Sequence, residues 1–189
     1  MQVPAPALVM AWHSPNYFSP GDAELDVLAN VLAGHAAARL DARLVYGEGQ
    51  ALQTWVGQLS AKRGSTFLVW IQAEPGADLS AIEAVVVEEI AGLAGEKPAT
   101  PDELAIALND REMSFLTDLE GLLERAEALQ GYAYYMGEDF GPAEDIARYR
   151  SVTAESLKAV IDEWLDPSNV AVIEVHPKED SDAPEGGEL

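Results

Sequence analysis

The chain has 189 residues, 33 acidic against 11 basic, for a formal charge of −22, and no cysteine. Such a surface repels a phosphate backbone, which excludes nucleic acid as a partner and favours a basic peptide, although the same charge also serves plain solubility. Without thiols there are no disulfides, thiolate metal sites or cysteine nucleophiles, and no apolar run approaches the roughly 18 residues of a membrane span.

Residues 1 to 6 show neither a basic cluster nor a leader-like apolar stretch. A soluble protein of cytoplasm or periplasm is expected, the latter with a leader or upstream domain outside this chain. Leu8 to Trp12, closed by Ser14-Pro15, reads as a buried strand. Asp22 is expected to cap a helix with the stripe Leu25, Leu28, Val31 and Leu32, ended by Gly34. A short helix follows over Ala36 to Val45. Ala51 to Leu59 and Thr66 to Ile71 read as a hairpin turning at Gly64-Ser65. Alternation sets Leu52, Thr54 and Val56 on one face of its first strand, and Gln53 and Trp55 on the other. The second strand is apolar on both faces, as inside a sheet.

Asp78 opens a long helix bearing Leu79, Ile82, Val85, Val86, Ile90 and Leu93, stopped near Gly95. Thr100-Pro101-Asp102-Glu103 is a capping box with proline at the first helical position. That helix runs through Leu104, Leu108 and Phe115, and another spans Leu119 to about Tyr135. A short helix over Ala143 to Tyr149 precedes one capped by Thr153 and stopped by Asp166-Pro167, and Val170 to Val175 closes as a strand. This order predicts one α+β domain over residues 1–177. Its architecture is a two-layer sandwich with an antiparallel or mixed sheet of about four or more strands and helices mainly on one face. Residues 178–189 read as an acidic linker or disordered tail.

Catalytic chemistry is missing. His13, His35 and His176 lie far apart and form no H-x-x-E-H or H-E-x-x-H, so neither a metal ligand nor a catalytic residue is assigned. Ser14, Ser60 and Ser65 sit in no nucleophile motif. Glu24-Asp26 and Glu88-Glu89 read as solvated helix faces, and Tyr132, Tyr134 and Tyr135 as packing.

One set of segments resembles a known family. Ala38-Arg39-Leu40, then Arg43-Leu44-Val45-Tyr46, then Ala51 and a strand, is similar to the domain that follows the catalytic one in pitrilysin/insulinase-type zinc peptidases. Pro75-Gly76-Ala77-Asp78-Leu79, Thr100 to Leu104, Arg148 to Glu155 and the strand ending at His176-Pro177 resemble that domain in the same order. The resemblance implies a non-catalytic domain that completes a peptide chamber with a separate zinc-bearing domain or subunit. No cofactor is then expected in this chain, and zinc is expected in the partner. Such domains supply an arginine and, seven residues on, a tyrosine to the substrate; here those positions are Val45 and Leu52. The following strand is implied to lie at the sheet edge, where a peptide adds as a further strand. Val45, Leu52, Gln53 and Trp55 are therefore the candidate substrate contacts. The alternatives are a structural or assembly subunit of the same family without peptide binding, and a small-molecule regulatory domain.

Overall fold

Side-chain alternation orders the sheet. The computed structural model describes residues 5–137 and 139–177, and in β3 (Ser65–Ala73) every second residue, including Phe67, Val69, Ile71 and Ala73, is buried. Thr66, Leu68, Trp70 and Gln72 between them are half-buried. The fully buried row faces the helices, and burying each large apolar side chain is worth about 1.5–3 kcal/mol. β3 pairs antiparallel with β1 (Ala7–Ser14) and with β2 (Ala51–Leu59), and β1 also pairs antiparallel with β4 (Ala171–Val175). The order is β2-β3-β1-β4, which leaves β2 and β4 at the edges. The predicted α+β sandwich is observed, with a four-stranded, wholly antiparallel sheet. The tail predicted over residues 178–189 lies outside the described residues.

Helix α1 (Asp22–Leu32) is buried on most of its surface, with Leu25, Leu28 and Leu32 inaccessible to solvent. It packs against β2, α3 (Pro101–Asp118), α5 (Pro142–Arg150) and α6 (Ala154–Trp164), while α2 (Leu79–Ala94) packs on α6 and β1. α4 (Leu122–Tyr135) is largely exposed, with Tyr132 its one buried residue. Asp78 and Thr153 accept main-chain N–H bonds at their helix starts, as expected.

Two local expectations are corrected. Gly21, not Asp22, is the residue before α1, with φ +93°, a conformation that favours glycine. The Asp22 carboxylate points back instead and accepts from the Phe18 N–H at 3.0 Å. The short helix expected over Ala36 to Val45 is a wide π-type turn over Asp41–Gly47, in which Glu48 N–H donates to Arg43 O at 2.7 Å. Arg39 and Leu40 precede it. Leu40 is fully buried, and Arg39 donates to both Glu103 carboxylate oxygens at 2.8 and 3.0 Å and to the Lys97 and Pro98 carbonyls. The Arg-Leu pair thus ties this turn to the start of α3.

The capping box at that start forms as predicted: Thr100 N–H donates to Glu103 Oε2 at 2.7 Å, and Glu103 N–H to Thr100 Oγ1 at 3.2 Å. Burial raises the Glu103 carboxyl, but hydrogen bonds from Arg39 and Thr100 outweigh it and bring it down to about 2. A depressed carboxyl contributes stability above its ordinary range and loses it as pH falls through the folded value. E103Q is therefore expected to lower Tm at neutral pH, with the gap to wild type closing as pH drops from about 4.5 towards 2. Thermal scans across that range check it; a gap independent of pH would contradict it.

Candidate functional site

The free edge of β2 and the turn before it hold all four candidate contacts. Val45 sits in the π-type turn, half-buried against the core. The turn is stitched to the head of the strand, with Gln50 N–H donating to Leu44 O at 2.8 Å. At the start of β2, Ala51 pairs with Ala73 but Gln53 pairs with Gln72, so Leu52 is the extra residue of a bulge. Ala51 is buried and Leu52 is 46% exposed. Leu52 therefore does not share the inward row of Thr54 and Val56, because the bulge breaks the period-two pattern. Val56 packs on the core, and Gln53 and Trp55 stand on the opposite face. There Trp55 pairs with Trp70, Trp70 with Val9, and Val9 with Ile173, forming one apolar row across all four strands. Trp55 and Ile173 at its two ends are 44% and 57% exposed.

Among the described residues no group of three His, Cys, Asp or Glu side chains could hold a metal ion. His13 and His176 are exposed at strand ends and His35 is half-buried in the turn after α1. No described helix is long and apolar enough to cross a membrane. The tyrosines pack as expected: Tyr132 and Tyr135 join Tyr17, Phe18 and Phe140, and Tyr134, though exposed, packs edge-on against Tyr135 and carries the Lys62 ammonium over its ring at 3.9 Å. The acidic pairs are not simple solvated faces. Glu89 is buried and shares Arg43 with Glu88, and Asp26 accepts from the Tyr149 hydroxyl at 2.8 Å.

A buried polar centre escaped the sequence reading. Arg148 bridges Asp22 at 2.7 Å and Asp145 at 3.0 Å, both carboxylates being almost inaccessible. Tyr132 donates to the other oxygen of Asp145 at 3.0 Å, and Ser60 donates to Asp22. Phe18, at φ +62° in the left-handed region, is held there by its bond to Asp22 and has the Arg148 guanidinium over its ring. Burial pushes the Asp22 carboxyl up, against the pull of Arg148, and pushes the Tyr149 hydroxyl far above its usual range. The Arg-Tyr of the Arg148 to Glu155 segment thus fastens α5 to α1. The sequence hint was that motif alone, since the partners of Arg148 lie three and 126 positions away.

The family model described as the peptidase M16 inactive domain matches residues 1–110, more than half of the chain. The chain belongs to this family. It is an inactive domain of the M16 peptidase type. Solved structures share the fold. The inactive peptidase domain of a candidate zinc protease from Bordetella parapertussis has a TM-score of 0.82 at 18% identity, covering 96% of this chain and 98% of that one. A protease from Helicobacter pylori gives 0.82 at 18% identity, covering 93% of this chain and 42% of that one, so the M16 domain described here spans less than half of that relative. A chain of Complex III2 from Candida albicans gives 0.77 at 10% identity, covering 91% and 43%. No curated protein matches.

Proposed function

We propose that this M16 inactive domain completes a peptide-binding chamber with a separate zinc-bearing domain or subunit, and that the free edge of β2 receives an extended peptide. The observation that carries the reading is the position of β2: paired on one side only, next to the turn bearing Val45, and carrying Leu52, Gln53 and Trp55. A one-sided strand offers a row of main-chain donors and acceptors to an added strand. The acidic chain favours basic peptides. Exposed Met113, Leu116, Leu122 and Leu123 on α3 and α4 supply an apolar surface for the partner. The test is amide exchange along β2 with a basic peptide present.

In this reading zinc and its chemistry belong to the partner. The isolated chain is expected to hold no stoichiometric zinc after dialysis and to cleave no peptide. Metal analysis checks it, and one tightly held zinc per chain would contradict it. The second reading, an assembly subunit that binds no peptide, is favoured by the apolar Val45 and Leu52 and by the likeness to a Complex III2 chain.

A further inference from the structure

A cleft of about 380 Å³ opens between the edge of β2 at Trp55 to Gln58 and helices α1 and α3, within the size range of small-molecule sites. Asp26, Asp110 and Arg111 line it, and none of the three forms an ion pair among the described residues. Arg111 Nη2 donates to the Tyr149 hydroxyl at 2.7 Å, which donates to Asp26 Oδ2 at 2.8 Å, so one tyrosine sets the spacing of the two charges. The Asn30 amide donates to Asp110 at 3.4 Å and the Gln58 amide to Asp26 at 3.3 Å. Three atoms on these walls are buried without a hydrogen-bond partner: Asn30 Oδ1, Gln58 Oε1 and Arg111 Nε. Buried polar atoms are ordinarily paired, and each exception calls for an explanation.

A ligand that is only a cation leaves Arg111 without a counter-charge, and one that is only an anion leaves the Asp26 and Asp110 carboxylates without one. An α-amino acid zwitterion carries both charges a few ångströms apart. The geometry points to this cleft as a binding site for a free α-amino acid, its carboxylate on Arg111 and its ammonium between Asp26 and Asp110. Ala33 and Val56 give an aliphatic side chain apolar surface. The assignment is argued from the side chains of the cleft and does not rest on the peptide-chamber reading, although both use the edge of β2.

Calorimetric titration of the full chain with leucine, N-acetyl-leucine and leucinamide tests it. Leucine is expected to bind, and each capped analogue, lacking one charge, to bind about tenfold more weakly or worse. D110N, at an exposed helix position, is expected to keep the wild-type Tm and lose leucine affinity by a similar factor. No binding of leucine, equal binding of either capped analogue, or unchanged leucine affinity in D110N would each overturn the assignment.

Discussion

Replacing Arg148 by methionine is expected to destabilise the domain by about 3–5 kcal/mol, the usual cost of removing one partner from a buried ion pair. For a chain of this size that is a fall in Tm of about 6–20 °C. The cause is specific. Asp22 and Asp145 would both lose their counter-charge in surroundings that exclude water, and Phe18 would lose the cation over its ring. The pH dependence carries the sign of the cause. Burial already raises the Asp22 carboxyl, and removing Arg148 raises it further. A raised carboxyl is tolerated while protonated and becomes costly as pH rises through its folded value. The deficit of R148M should therefore be smallest in acid and grow towards neutrality. Adding D22N to R148M should recover part of the loss, since a neutral amide needs no counter-charge. Denaturant melts of the wild type and the two variants at acid and neutral pH decide it; a deficit that shrinks with rising pH would contradict the account.

The second large effect concerns peptide binding. An arginine and a tyrosine at positions 45 and 52 would each give peptide carbonyls a hydrogen bond worth about 1–3 kcal/mol. Valine and leucine offer area only, and Leu52 stands on a bulge, 46% exposed. Affinity then comes from main-chain pairing on β2 and from the field of a −22 chain. Screening shortens the reach of that field to about 8 Å at physiological salt. Binding of a lysine-rich extended peptide is expected to be weak and to fall roughly tenfold or more from low to high salt. A neutral peptide of equal length is expected to show almost no binding. Fluorescence anisotropy with the two peptides at both salts measures this; tight, salt-independent binding of the neutral peptide would mean that the positions matched to the polar pair are wrong.

Features governed by local chemistry were legible in the sequence. Thr100 and Glu103 form their capping box because the four residues concerned need nothing else. Gly64 turns the hairpin at φ +71°. The doubly apolar Thr66 to Ile71 run correctly announced an interior strand. The misses depended on distant partners or on one extra residue. Asp22 looked like a helix cap until the chain brought Arg148 against it from 126 positions away. Glu89 looked solvated because its pairing with Arg43 crosses from another element. Alternation sets Leu52 on the row of Thr54 and Val56 because it assumes no bulge, and the bulge appears only in the pairing of Ala51 and Gln53 with β3. At the candidate site, the edge position of β2 was foreseen, whereas the cleft beside it was not, since α1, α3 and Tyr149 meet there only on folding.

Hydrogen exchange along Ala51–Leu59, with and without a basic extended peptide at low salt, tests the central claim most directly. If the edge of β2 receives the peptide, alternate amides of this strand, those not bonded to β3, become protected on binding, while β4 at the other edge is unchanged. Binding that leaves every β2 amide exchanging as before, or that protects β4 instead, would contradict it.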